Sequence, residues 1–210
     1  MGTFGTIRRM NPGRSAPSHP STEAEFWAWF AANESRLADI DHARDRGVED
    51  ILLQLMRVHE DLTLDVGVLR DGGRELVVSA CGNPRVVPAV LKLVAAAPPL
   101  QQWTVTAFRQ RRAARGSFVL HCGGTVDLAG VRFSARRAGN RVDLALFIPG
   151  FRRRFADEYR IVAALVLDMV LGELDAMTRV RDVTVGPPRW RTHSRPLAEL
   201  ASVVDAAPPD

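Results

Sequence analysis

The order of secondary-structure patterns occurs twice in this chain, and this constrains the fold more than any other feature. In the first copy, strand-like segments at 63–69 and 75–80 flank an Asp-Gly-Gly turn, and a helical segment and a strand at 102–108 follow. In the second copy, the two hairpin strands lie at 131–135 and 141–148, the helix at 155–174 and the last strand at 179–185. The copies share little sequence, yet each predicts a ββαβ unit.

A helical pattern precedes the first copy. Thr22 and Glu25 have the spacing of a capping box, which begins an apolar helical stripe that runs from about 23 to about 44. Gly47 interrupts the pattern, and a second stripe ends near His59. The sequence therefore predicts an N-terminal helical hairpin.

These patterns together predict a single α+β domain over 22–186. We expect the two ββαβ units to join edge to edge in one antiparallel-rich sheet with the helices on one face, and the helical hairpin to cover the rest. The predicted division of the chain is a disordered tail at 1–21, the helical hairpin at 22–60, a first ββαβ unit at 62–108, a basic connector with a short hairpin at 109–130, a second ββαβ unit at 131–186 and a C-terminal tail at 187–210. Within this last segment, Trp190 and Leu197 could find a groove and order part of the chain.

The composition is that of a globular domain, with 46% hydrophobic and 25% charged residues. No apolar run approaches the roughly 18 residues that would span a bilayer, and the first 21 residues lack the apolar stretch of a signal peptide. We therefore expect a cytoplasmic protein without membrane association. Two cysteines, Cys81 and Cys122, do not suggest a disulfide scaffold, and we expect both to be reduced and buried.

Charge is distributed unevenly along the chain. Residues 21–75 hold 13 acidic and 6 basic residues, whereas residues 76–156 hold 13 basic residues and only two acidic ones. Of the 28 basic residues, Lys92 alone is a lysine. The preference for arginine, together with the abundant alanine, fits a GC-rich bacterial coding sequence, so arginine by itself is weak evidence of phosphate binding. Such an uneven distribution of charge attracts charged partners electrostatically, but it does not identify them.

Two arginine-rich segments are the main candidates for a partner-binding surface. One follows the first ββαβ unit, and the other precedes the second long helix. Their arginines are Arg109, Arg111, Arg112, Arg115, Arg152, Arg153 and Arg154. Such a surface could bind an acidic protein or RNA, or could simply be solvated. The absence of an RNP-like aromatic pair on a strand favours a protein partner over RNA.

A second set of residues could form a small pocket. Its members are one aromatic residue of the first helix and polar residues of two segments, namely Trp27, Asn33, Glu34, Glu173, Asp175 and Thr178. Phe26, Trp29 and Phe30 lie on one helical face and predict a core-facing stripe. We favour a structural role for Asn33, which would bind neighbouring backbone, and for Glu34, which could pair with an arginine.

The sequence assigns no catalytic residue, metal site or cofactor. The segment HEDLT at 59–63 lacks the second histidine of a zinc-binding helix. His121 and Cys122 are adjacent on a predicted strand, so their side chains point to opposite faces. No nucleophile elbow, P-loop or dinucleotide-binding glycine motif occurs.

Five sequence blocks occur in the order of an uncharacterised bacterial domain family, which the chain resembles over about residues 25–186. The blocks are EFWAWFAANESRL, HEDLTLDVG, DGGRELVVSACG, AAAPPLQQWTVTAFRQRR and LGELDAMTRVRDVTV. The resemblance implies a shared fold and a common site among these blocks, and it carries no reaction. Cys81 stands where the family pattern calls for a more polar residue, which speaks against a thiol mechanism.

We therefore expect a non-enzymatic bacterial binding or regulatory protein that presents its arginine-rich surface to an acidic protein, as an inhibitor or immunity-type protein does. An RNA-associated regulator is the alternative. An enzyme with a pocket at Asn33, Glu34 and the Glu173–Thr178 segment is the third hypothesis.

Overall fold

A computed structural model describes residues 21–40, 45–69, 71–121, 123–188 and 193–206. The chain divides into two compact units, Met1–Arg109 and Gln110–Asp210. This division falls one residue after the predicted end of the first ββαβ unit. The predicted N-terminal tail lies outside the described residues except for Ser21, and the interpretation of 22–186 as a single domain stays a prediction.

The first unit begins with three helices, α1 (Glu23–Ala32), α2 (Glu34–Ala38) and α3 (Arg46–Val58). The predicted capping box is present, since the Thr22 hydroxyl accepts from the Glu25 backbone N–H and the Glu25 carboxylate accepts from that of Thr22. The helix predicted over 23–44 is divided at Asn33. The Asn33 side-chain amide donates to the Trp29 carbonyl at 2.8 Å, while the Asn33 backbone N–H turns to Phe30. The side chain thus occupies the carbonyl that a continuing helix would use.

A three-stranded sheet completes the first unit. Strands β1 (Thr63–Val68) and β2 (Arg74–Ser79) are antiparallel, and after α4 (Val87–Ala95) strand β3 (Trp103–Ala107) pairs parallel to β2. Gly72, in the predicted turn between β1 and β2, has a φ of +88°, a conformation that favours glycine. The strand order β1-β2-β3 is that of a ββαβ unit.

Aromatic side chains of α1 fill the core of the first unit. Phe26 and Phe30 are fully buried, and the Phe30 ring packs edge-on against Trp103 with centroids 5.3 Å apart. Trp27 is also buried, and its indole N–H donates to the Leu93 carbonyl of α4 at 2.8 Å. Phe26, Trp27 and Phe30 are therefore core residues, and the Trp27 hydrogen bond connects α1 to α4. Trp29, which we predicted in the core-facing stripe, is only half-buried.

The second unit has the same order of elements with additions at both ends. Its elements are β4 (Ser117–Val119), β5 (Thr125–Asp127), β6 (Arg132–Ala138), β7 (Arg141–Phe147), α5 (Ala156–Leu171), α6 (Glu173–Arg179), β8 (Val180–Gly186), β9 (Arg195–Pro196) and α7 (Leu200–Asp205). Strands β6 and β7 are antiparallel, and β8 pairs parallel to β7. The α+β class and the two ββαβ units are confirmed.

The structure corrects the prediction of a single sheet. The described strands form three sheets, of orders β1-β2-β3, β4-β5 and β8-β7-β6-β9. In the second unit, β9 pairs antiparallel with Arg132 and Phe133 of β6, and so covers the first part of the edge that β6 would otherwise offer to another strand. Strand β9 comes from the segment that we predicted to be a tail, which explains why the sequence did not reveal this edge pairing.

The segment 187–210 also differs from a simple tail. Leu197, Leu200 and Val204 are buried in the core of the second unit, together with Phe133 of β6 and Val166 of α5. Helix α7 is therefore part of this core. Trp190, which we expected to find a groove, lies outside the described residues.

Helix α5 ends earlier than the pattern predicted. The predicted helix ran to 174, but Gly172 has a φ of +78° and separates α5 from α6. No helix in the described part of the chain has the length and apolar character needed to cross a membrane.

Candidate functional site

Basic charge concentrates in the second unit. Residues 110–210 contain 16 basic and 11 acidic residues, whereas residues 1–109 contain 12 basic and 13 acidic ones. The structure shows which of these arginines bind other parts of their own unit and which lie on its surface.

Arg109 is bound within the first unit. Its guanidinium donates from Nε to Asp65 at 2.6 Å and from a terminal nitrogen to the Ser79 hydroxyl at 3.0 Å. The Asp65 side chain is only 5% exposed and that of Arg109 is 17% exposed. A buried carboxylate needs a cationic partner, so the role of Arg109 in the fold is to compensate Asp65.

Arg111 holds three segments of the second unit together. Its Nε donates to the Leu171 carbonyl at the end of α5, at 2.7 Å. Its terminal nitrogens donate to both Asp205 oxygens of α7 at 2.8 Å and to Asp175 of α6. These bonds lower the pKa of Asp205, chiefly through the hydrogen bond from Arg111, and raise that of Arg111. Arg179 adds a bond to the Val204 carbonyl.

Arg112 and Arg115 lie on exposed positions of the connector. The Arg112 backbone N–H donates to the Met169 carbonyl at 2.6 Å, which places this residue beside the last turn of α5. Arg115 is exposed and forms no ion pair with a described carboxylate.

Arg152, Arg153 and Arg154, which we call the FRRRF cluster after the sequence Phe151–Phe155, are all exposed. The Arg154 guanidinium lies 4.6 Å from the centroid of the Phe155 ring. None of the three forms an ion pair with a carboxylate in the described part of the chain. The cluster precedes the first turn of α5.

The structure thus separates the predicted basic residues of the second unit. Arg112 is held at Met169, whereas the FRRRF cluster comes just before Ala156 at the other end of α5. Met169 is thirteen positions after Ala156 in α5, a rise of about 20 Å. The connector arginines and the FRRRF cluster are therefore two groups along this helix.

In the first unit, Asn33 and Glu34 bind backbone. Besides the bond from Asn33 to Trp29, one Glu34 carboxylate oxygen accepts from the backbone N–H groups of Gln101 and Gln102, both at 2.7 Å. Glu34 thereby fixes the loop that leads into β3. Glu34 therefore binds these two backbone amides and not the arginine that we considered as its partner.

Glu173, Asp175 and Thr178 belong to α6 in the second unit. The helix predicted over 155–174 would place Glu173 near its C-terminus, but Gly172 separates α5 from α6, and Glu173 and Asp175 lie in the first turn of α6. There the helix dipole favours carboxylates. Glu173 is fully buried, Asp175 binds Arg111, and the Thr178 hydroxyl donates to the Leu174 carbonyl at 2.7 Å. Arg111 binds this segment through Asp175.

No group of three potential metal ligands occurs among the described residues. His59 uses its Nδ1 to accept from the Asp61 backbone N–H at 3.2 Å. Cys81, which we expected to be buried, is exposed and has a φ of +50°, because it occupies the turn that follows β2. Asp41 and His42, another neighbouring acid and histidine in the sequence, lie outside the described residues, as does Cys122.

One charged cluster was not singled out from the sequence. Asp143 of β7 accepts from Arg136 on β6 at 2.6 Å and from Arg181 on β8 at 2.7 and 2.6 Å. These bonds, that from Arg181 first, hold the pKa of Asp143 below its usual value. The register that pairs Arg136 with Asp143 across the hairpin was the available signal, since opposite charges often face each other there.

No protein-family model, curated protein or solved structure matches this chain.

Proposed function

We propose that this chain is a non-enzymatic binding or regulatory protein of the bacterial cytoplasm, and that its FRRRF cluster binds an acidic protein partner. The observation that carries this proposal is the exposure of three consecutive arginines that no described carboxylate neutralises. The mode of action would be that of an inhibitor or immunity-type protein, which covers an acidic surface on its target.

Electrostatics of the cluster favour an anionic partner. Three adjacent guanidinium groups repel one another, and they precede the first turn of α5, where the helix dipole adds further positive charge. Asp157 in that turn binds Arg160. An acidic partner would relieve this repulsion and would be attracted over a distance of about a Debye length.

The hydrogen bonds of the predicted pocket residues support a binding function over an enzymatic one. Trp27, Asn33 and Glu34 bind backbone groups of the first unit, and Thr178 binds the backbone of its own helix. These side chains serve the fold, whereas the guanidinium groups of the FRRRF cluster are exposed.

The test is an affinity capture from a lysate of the organism that encodes the protein, with and without nuclease, followed by mass spectrometry. We expect a stoichiometric acidic protein that survives nuclease and is lost when Arg152, Arg153 and Arg154 are all replaced by alanine. Replacement of the same three residues by lysine retains the charge and should retain part of the capture.

A matched control removes three other positive charges. Arg46, Arg85 and Arg141 are exposed and form no ion pair with a described carboxylate. Their triple alanine variant should capture the partner as the natural protein does. Capture that nuclease abolishes would instead indicate RNA, and equal loss in both triple variants would show that only net charge matters. Either result would overturn the proposal.

A further inference from the structure

An open groove of about 490 Å³ lies in the second unit, between the sheet and α7. Its lining includes Ala135 and Arg137 of β6, Val142 of β7, Arg195 of β9, and Glu199 and Val203 near and within α7. Its volume is within the range of small-molecule sites, which is roughly 300–1,000 Å³. No residue of this lining belongs to the FRRRF cluster.

The position of Arg137 is unusual for this sheet. In β6, the residues Phe133, Ala135 and Arg137 alternate along one face, and their partners on β7 are the buried Leu146, Leu144 and Val142. Arg137 therefore lies on the same side of β6 as the buried Phe133, but at the end of the sheet next to the hairpin turn, where Ala135 and Arg137 are both exposed. Ala135 lines the groove beside Arg137.

The two arginines of the groove keep hydrogen-bond donors. Arg137 donates from one terminal nitrogen to the Ala206 carbonyl at 2.6 Å, and this bond holds its guanidinium beside α7. Arg195 pairs through Nε with Glu199 at 2.9 Å. Each guanidinium has five N–H donors, so most of them have no acceptor among the described residues. The groove thus combines cationic donors with the apolar surfaces of Ala135 and Val203.

From this combination we infer that the groove binds a small amphiphilic anion. Its carboxylate or phosphate accepts hydrogen bonds from Arg137 and Arg195, and its apolar part covers Ala135 and Val203. Guanidinium groups match the geometry of these anions, and the apolar floor adds binding free energy in proportion to the area that is covered. The negative charge of Glu199 repels the anion and limits the affinity of the groove for it.

The test is a titration of the isotope-labelled full-length protein with 4-phenylbutyrate, followed by amide NMR shifts. We expect saturable shifts at Ser202, Val203 and Val142, and binding at least tenfold weaker for the neutral 4-phenylbutanol. Phenyl phosphate is the second anionic probe, and it distinguishes a phosphate site from a carboxylate site. Equal binding of the alcohol, or the absence of saturable shifts at 10 mM of both anions, would overturn the inference.

Variants sharpen this test. We expect Arg137→Gln and Arg195→Gln each to weaken binding at least fivefold, and Glu199→Gln to strengthen it severalfold, because it removes a repelling charge and releases Arg195. Ala135→Leu fills the groove and should abolish binding while both arginines remain. Because this variant keeps the bond from Arg137 to Ala206, a loss of binding in it cannot be due to a change in the position of α7. Arg141→Gln, outside the groove lining, is the control. Affinities that these groove variants leave unchanged would contradict the inference.

Discussion

Arg109 and Arg111 differ from the FRRRF cluster although both arise from dense runs of arginine. Arg109 compensates the buried Asp65, and Arg111 joins α5, α6 and α7. Arg152, Arg153 and Arg154 are exposed without an ion pair to a described carboxylate. We therefore expect the stability of the fold to depend on Arg109 and Arg111, and the proposed partner binding to depend on the FRRRF cluster.

The largest effect is expected at Arg109. Replacing it with alanine leaves Asp65 buried without its cation, which should lower the free energy of unfolding by about 3–5 kcal/mol. Urea unfolding followed by tryptophan fluorescence measures this, because three of the four tryptophans belong to the first unit. The double variant Asp65→Leu, Arg109→Met should recover much of the loss. A double variant as unstable as Arg109→Ala would contradict the role of Arg109 in compensating the charge of Asp65.

Arg111→Ala should have the next largest effect. It removes charged hydrogen bonds to Asp205 and Asp175 and a bond to the Leu171 carbonyl, with an expected loss of about 1–3 kcal/mol. Hydrogen exchange should accelerate in α7 more than in α1. Unchanged exchange in α7 would show that Arg111 does not hold this helix.

The local parts of the fold were predictable from sequence, because their signals lie within a few residues. The capping box at Thr22 and the turn that contains Gly72 are examples. The roles of the arginines were not, because their carboxylate partners are distant along the chain. Asp65 lies 44 residues from Arg109, and Asp205 lies 94 residues from Arg111. No periodicity relates such positions.

The break at Asn33 and the docking of α7 show two further limits. Asn33 competes with the backbone for the Trp29 carbonyl, and either outcome is compatible with the same helical pattern. Helix α7 has only six residues, so its apolar stripe is too short to stand out from a tail rich in proline. Its position follows from the burial of Leu200 and Val204 instead.

A smaller effect is expected from pH. Because Arg111 holds the pKa of Asp205 below its usual value, this carboxylate contributes stability that is present above the unfolded pKa of about 3.9 and is lost as pH falls through the folded pKa. The stability of the natural protein should therefore fall more steeply below about pH 4 than that of Asp205→Asn. If the free energy of unfolding falls equally with pH in the natural protein and in Asp205→Asn, Asp205 does not make this contribution.

The smallest effect on stability is expected in the FRRRF cluster. The triple alanine variant removes exposed charges that repel each other, so its free energy of unfolding should stay within about 0.5 kcal/mol of the natural value. A loss as large as that of Arg111→Ala would show that these arginines have partners within the fold.

The most direct test measures both quantities on two variants, namely the free energy of unfolding and the amount of captured partner. At a temperature where both variants are folded, we expect Arg111→Ala to be less stable and to capture the acidic partner normally. The triple alanine variant of Arg152, Arg153 and Arg154 should be as stable as the natural protein and should capture none. Loss of capture in folded Arg111→Ala, or full capture by the triple variant, would contradict the division between arginines that stabilise the fold and arginines that bind.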